Sequence, residues 1–309
     1  MKNEKNISIV LTTYNGEKYL RQQLDSVFAQ TLSADEVIAI DDCSNDNTLE
    51  ILEEFHQKYN LIYSCNEYNL GVNANFEKAL KQCTGNYICF CDQDDVWFPE
   101  KTETLYNKMR EIEDEGPCIV TSRNTVVDSD LKIHYNTELK KDTSFYRDTI
   151  IYHLSQGASL LMNRKCLEYI FPFPANGQIC YDFHIGYIIA MIGKKYDLKQ
   201  SLMYYRVHGN NLTASLGKIR HNHSVLRKKR PTSVVANHFI LTFKNANNQI
   251  TNLTTPDRLC FVNRIIRISE ESSYFKLLWL LLTTTHIPFL RKLHSLLRMT
   301  LNVFLNHER

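Results

Sequence analysis

Between Ile7 and Cys91, four short apolar runs alternate with three segments of helical periodicity, and this alternation constrains the fold more than any other feature of the chain. Ile7 to Thr12 is apolar and rich in β-branched residues, as a buried strand requires, and Thr13-Tyr14-Asn15-Gly16 is turn chemistry after it. From Glu17 the apolar positions Leu20, Leu24, Val27 and Phe28 recur at helical spacing. Glu36 to Ile40 reads as a second strand, and Leu49, Ile51, Leu52 and Phe55 as a helix face. Leu61 to Cys65 then reads as a third strand, Val72 to Cys83 as a third helix and Tyr87 to Cys91 as a fourth strand. Strands separated by helices pair in parallel through right-handed crossovers, and ligands gather beyond their carboxyl ends near the switch point. The predicted class is α/β with a Rossmann-like sheet.

Two of these strands end in acid. Asp92 and Asp94, one residue apart in Asp92-Gln93-Asp94-Asp95, can turn toward one point beyond the sheet. Hard oxygens so placed suit a Mg2+ or Mn2+ ion that keeps waters and grips a diphosphate. Taken alone, the same residues fit a solvated turn that caps the helix beginning near Pro99. After the second strand comes Asp41-Asp42-Cys43-Ser44-Asn45-Asp46. Asp42 reads as a ligand contact, because a second acid at a strand end has no helix of its own to cap. Asp46 reads as the N-cap of the helix carrying Leu49 and Leu52, with a ligand contact as the alternative. Trp97 is assigned to packing, with a wall of the ligand pocket as the alternative, and His153 and His184 to structure.

Beyond the helix from Pro99 to Ile112, Pro117 to Thr121 and Gln156 to Met162 read as strands, while residues 123–150 give no pattern. Asn163 to Ile170 reads as a short helix, Tyr181 to Met191 as an apolar one, and Leu202 to Val207 leads to His208. A first domain over 1–215 and a mainly helical, basic extension over 216–309 follow from this division. Formal charge is +2 overall, yet residues 201–309 carry 16 Lys and Arg against 4 Asp and Glu, leaving 20 against 30 in residues 1–200. Leu277 to Leu290, interrupted by His286 and Pro288, is too short to span a bilayer. Leu290, Leu293, Leu297, Leu301 and Phe304 form one stripe, which suits a helix packed on the first domain or in a dimer. It equally suits peripheral contact with an anionic inner leaflet. The nine scattered Cys read as reduced thiols and the short polar Met1 to Asn6 as no leader, so the expected location is cytoplasmic.

The order of motifs resembles glycosyltransferase family 2, whose catalytic domain has the GT-A fold. The similar elements are Thr13-Tyr14-Asn15, Asp41 to Asp46, Asn69-Leu70-Gly71 and Asp92 to Asp95, each after or between the elements just named, over about residues 5–215. The resemblance implies transfer of a sugar from a nucleoside diphosphate sugar to a saccharide acceptor with inversion. Carried over residue by residue, Thr13, Tyr14, Glu17, Asp42 and Asp92 would lie at the nucleoside, and Asp95 and Arg206 at the donor sugar and diphosphate. Asp94, with Asp92 and His208, would hold the Mg2+ or Mn2+, and Asp182 would be the catalytic base. Cys43 stands where Gly is frequent, a change of small consequence with the backbone there at negative φ. The motif of processive synthases is absent, so single additions are expected. The wording Asp-Gln-Asp-Asp-Val-Trp is most similar to bacterial rhamnosyltransferases and other O-antigen or capsule transferases. Those imply dTDP-rhamnose or a UDP-hexose as donor and a lipid-linked acceptor.

Two rival classes fit parts of the chain. Asp92 to Val96 spells D-x-D-x-V, the pattern of haloacid-dehalogenase-like phosphatases, although in that class the motif follows the first strand. The basic tail suits a nucleic-acid binder, but it carries no recognition motif and the acidic first part opposes such binding, so no nucleic-acid partner is expected.

Overall fold

The computed structural model describes residues 6–137, 156–174, 180–209 and 211. The chain divides into two compact units, 1–140 with 155–220 and 141–154 with 221–309, and every described residue lies in the first. The expected tail helices and His153 fall outside the described residues.

The strand and helix alternation folds as read. β1 (Ile7–Thr13) pairs in parallel with β2 (Glu36–Asp41) and β4 (Tyr87–Cys91), and β2 with β3 (Ile62–Cys65). Helices α1 (Leu20–Phe28), α2 (Thr48–Tyr59) and α3 (Val72–Gln82) make the crossovers. All residues of β1 and β4 are buried, as central strands covered on both faces must be, whereas β3 is the partly exposed edge. The order β3-β2-β1-β4 reverses direction between β1 and β4, so the topological switch point lies where those two strands end.

The second half departs from the pattern. β5 (Val96–Trp97) and α4 (Lys101–Ile112) lead to β6 (Cys118–Val127), which pairs with β7 (Ile133–Asn136). β8 (Leu160–Asn163) is antiparallel to both β4 and β6. After a four-residue α5 (Leu167–Ile170) and the almost wholly buried α6 (Tyr181–Ile192), β9 (Lys194–Arg206) runs parallel to β6 and antiparallel to β5. The sheet therefore reads β3-β2-β1-β4-β8-β6-β9-β5, with β7 on β6. β6 and β9 are longer than their apolar runs, because β6 continues through Ser122-Arg123-Asn124 and the first half of β9 is polar and only partly buried, stretches that read as loop. The expected strand over Gln156 to Met162 opens instead with a turn of 3-10 helix at Gly157–Ser159.

Among the described residues no helix is long and apolar enough to cross a membrane.

Candidate functional site

The first two loops are interlocked beyond β1 and β2. Asn15 N–H donates to Ser44 Oγ at 2.9 Å, Asn45 N–H to Asn15 Oδ1 at 3.0 Å, and Gly16 N–H to Thr48 Oγ1 at 2.8 Å. Glu17 N–H donates to Asp46 and Asn47 N–H to Glu17, each at 3.1 Å. Asp46 is not the N-cap of α2, which is Asn47, but from one residue earlier it accepts from Thr48 N–H at 3.0 Å and so braces the start of α2 and the neighbouring loop together. The Thr13 hydroxyl is turned inward to Asp41 at 2.7 Å.

Asp42 corrects the sequence reading of its environment. Its carboxylate, 2% exposed, accepts from Leu70 N–H at 2.7 Å, Gly71 N–H at 2.8 Å and Asn66 Nδ2 at 3.0 Å. The acid with no helix of its own thus holds the Leu70-Gly71 turn that leads into α3, a helix distant in sequence that β2 carries it toward. Cys43 is corrected as well: its φ is +65°, the left-handed region, where a side chain costs roughly 1–2 kcal/mol relative to glycine.

Beyond β4, Gln93 has a role to which nothing in the sequence pattern points. Its Oε1 accepts from Tyr14 N–H at 2.8 Å and its Nε2 donates to the Tyr14 carbonyl at 3.0 Å. This clamp fixes the backbone of Tyr14, whose ring is left half exposed. Gly16 is needed beside it, since a Cβ there would come within 2.5 Å of Gln93 Oε1.

Asp92 and Asp94 do not cap α4, whose first-turn Thr102 N–H is taken instead by Gln30 Oε1 at 3.0 Å. Asp94 Oδ2 accepts from His208 Nε2 at 2.8 Å and from Asn211 Nδ2 at 3.1 Å. Asp92 lies close enough to the Tyr181 hydroxyl, Asp94 and Asp182 for all three to act on it. Burial first, then those two carboxylates, push Asp92 up to about 7. Asp182 sits in the first turn of α6, 9% exposed, with Phe183 N–H donating to it at 2.8 Å. Tyr181 reaches Asp92 only because residue 157 is glycine: a Cβ there would lie 1.9 Å from the Tyr181 hydroxyl oxygen.

Asp95 and Arg206 are buried behind this cluster. Asp95 is 0% exposed and Arg206 2%. Arg206 Nε donates to the Asp94 carbonyl and Nη1 to the Ser129 carbonyl, both at 2.7 Å, and Nη2 to Gln22 Oε1 at 2.6 Å. Its own backbone N–H donates to Asp95 at 3.0 Å, and its guanidinium carbon lies 4.5 Å from the centre of the Tyr19 ring. Tyr19 also stacks on His208, with ring centres 4.7 Å apart. Burial and the Asp94 and Asp92 charges hold Asp95 well above the ordinary carboxylate range. The two residues thus brace the acidic turn from within, rather than presenting their charged groups to a ligand.

Trp97 is 2% exposed, in line with packing, and His184, pulled down to about 4 by burial, meets the Ile170 carbonyl at 2.9 Å. Among the described residues, no three His, Cys, Asp or Glu side chains form a ready-made metal cage. Asp94 with His208 nevertheless fits an ion that takes few protein ligands and fills its other positions with water and diphosphate oxygens.

The profile of glycosyl transferase family 2 matches residues 8–171, just over half of the chain. An uncharacterized glycosyltransferase of Nostoc is 29% identical over 217 residues, 66% of this chain and 66% of that protein. A dTDP-rhamnosyl transferase of Shigella flexneri is 27% identical over 220 residues, 65% of this chain and 72% of that one. With the Nostoc relative and an uncharacterized glycosyltransferase of Rickettsia prowazekii, the match spans just under two thirds of the relative's length, 66% and 65%. Among solved structures, residues 1–349 of Staphylococcus aureus TarS in complex with UDP-GlcNAc superpose with a TM-score of 0.58 at 19% identity, over 89% of this chain and 78% of that fragment. A Pyrobaculum calidifontis mannosyltransferase in complex with GDP-Man and Mn2+ gives 0.53 at 16% identity, over 97% and 87%. These likenesses show a GT-A fold.

Proposed function

The chain belongs to glycosyl transferase family 2, and from that premise we propose that it is a metal-dependent, inverting transferase that moves one sugar at a time from a nucleoside diphosphate to a saccharide acceptor. The convergence of Asp92 and Asp94 from the end of β4 with Asp182 from α6 and His208 from beyond β9 carries this reading. It lies at the switch point, where open α/β sheets take ligands.

In this reading the nucleoside lies against the Tyr14 loop that Gln93 clamps, with Glu17 and Asp92 at its edge. Thr13 and Asp42 act there through the loops that they hold. Asp94 and His208 hold the Mg2+ or Mn2+, which when bound neutralises charge on the departing diphosphate. Asp182 takes the proton of the acceptor hydroxyl, a role typically worth about 100- to 10,000-fold. With an acceptor oxygen as the attacking group, inversion needs no protein nucleophile. Asp95 and Arg206 keep the acidic turn in place.

The activity named for the Shigella relative supports dTDP-rhamnose as the first donor to test, and the TarS likeness supports a UDP-hexose as the second. We assign the acceptor to the class of lipid-linked saccharides of surface polysaccharide assembly. Residues 1–215 would be the catalytic domain and the basic residues 216–309 a peripheral contact to the inner leaflet. Nucleoside diphosphate release from dTDP-rhamnose, UDP-glucose, UDP-galactose, UDP-N-acetylglucosamine and GDP-mannose, with Mg2+, Mn2+ or EDTA, tests the reading. One donor turned over only with metal, and not by Asp94→Asn, is the expected result. No metal-dependent nucleotide binding by the wild type would overturn it.

A further inference from the structure

Lys101 is a buried cation that no step above uses. It opens α4, where the partial positive charge of the helix end disfavours a cation, and it is 0% exposed. Its Nζ donates to the Ala158 carbonyl and meets Met203 Sδ at 3.3 Å. It also lies 3.6 Å from the centre of the Trp97 ring. Among the described residues no carboxylate pairs with it directly. A buried ammonium held only by a carbonyl, a thioether and a ring face is expensive unless its charge answers another.

The charge that it answers is in the acidic turn. Lys101 is close enough to Asp92 and Asp95 to act on both electrostatically. Asp95 is 0% exposed, and its Oδ2 has no hydrogen-bond partner among the described residues. The buried Asp95 and the partly buried Asp92, with Asp94 and Asp182 beside it, therefore share one buried cation.

We propose that Lys101 is a positioning residue for the acidic site: held inside the fold by Ala158 and Trp97, its charge offsets Asp92 and Asp95 and so sets how tightly the site takes a divalent cation. The affinity part rests on the reading of Asp94 as metal ligand. Burial lowers Lys101 from the usual lysine value to about 8, so it is mostly charged at neutral pH. Without it the ion-free protein carries more unbalanced negative charge and is less stable. Metal binding moves the other way. A divalent ion is repelled by Lys101 twice as strongly as a proton, so removing the lysine favours the metal even against protons competing for the same carboxylates.

The test uses the full chain with Lys101→Met, Asp95→Asn and the double variant at pH 7. Thermal unfolding is followed in EDTA, and Mn2+ binding by loss of the free-ion EPR signal. Lys101→Met is expected to melt several degrees below wild type in EDTA yet bind Mn2+ at least about threefold more tightly. Asp95→Asn is expected to restore much of the lost melting temperature when combined with it, a coupling that two independent packing defects would not give. Unchanged or weaker Mn2+ affinity, or a double variant no more stable than Lys101→Met, would show a packing role and overturn the inference. If Lys101→Met does not fold in EDTA, rescue by Asp95→Asn supports the proposal and failure of rescue overturns it. A wild type that binds no Mn2+ sinks the metal reading of Asp94 and the affinity part with it, while the EDTA comparison still decides the charge balance.

Discussion

Asp92→Asn should make the ion-free protein more stable at alkaline pH and about half as much more stable in mild acid. The wild-type carboxyl is pushed from 3.8 to about 7, chiefly by burial and then by Asp94 and Asp182. A raised folded-state pKa means that the folded chain holds a proton over the interval from about 4 to 7 that the unfolded chain releases, so stability falls as pH rises through that window. Every tenfold gain in proton affinity is worth about 1.4 kcal/mol, which sets a ceiling of roughly 4 kcal/mol at pH 8.5. Because part of this strain is shared with neighbouring charges that stay in place, about 2 kcal/mol is the expected gain for removing Asp92 alone. Asn retains an oxygen that can accept the Tyr181 hydroxyl, so packing is preserved. The assay is urea unfolding of both proteins in EDTA at pH 5.5 and pH 8.5. At pH 5.5, midway through the window, the unfolded wild type is already ionised, so the variant should gain about half of what it gains at pH 8.5, where it should unfold at clearly higher urea. An equal change at both pH values, or none at pH 8.5, would refute the charge argument. The same variant should lose transferase activity, as expected where a stabilising change removes a strained functional group.

Three further outcomes follow from particular contacts. Gly157→Ala places a Cβ 1.9 Å from the Tyr181 hydroxyl oxygen, so Tyr181 must leave Asp92. A stability loss of about 1–3 kcal/mol in chemical denaturation, with strongly reduced turnover, is expected. Gln93→Ala removes both bonds that clamp Tyr14; nucleotide affinity by calorimetry should weaken about tenfold with little change in melting temperature, at roughly 0.5–1.5 kcal/mol per bond. Cys43→Gly relieves a side chain at φ +65°, though glycine gains freedom when unfolded. A net change between zero and about 1 kcal/mol of stabilisation, with unchanged turnover, is expected, and a clear destabilisation would show that the thiol contact to the Glu67 carbonyl matters more than the backbone.

The parallel half of the sheet was legible because its information is local. Fully buried strands must be continuous apolar runs, the helices between them must repeat at 3.6 residues, and right-handed crossovers then leave little freedom in the order β3-β2-β1-β4. Acid at the ends of β2 and β4 was equally visible, since ionised groups cannot be accommodated within those strands. Local pattern could not decide what each acid touches. Asp42 and Asp94 look alike in sequence, yet one is held by the N–H groups of the turn that leads into α3 while the other meets His208. Those partners lie 28 and 114 residues away and are brought in by strand order. The polar first half of β9, the approach of Tyr181 to Gly157 and the burial of Lys101 are invisible for the same reason. The sequence by itself determined which elements form and that acid collects beyond β2 and β4. Only the tertiary structure decided which carboxylates face one another and which brace the loops, because partner identity and desolvation depend on what the fold places across from each residue.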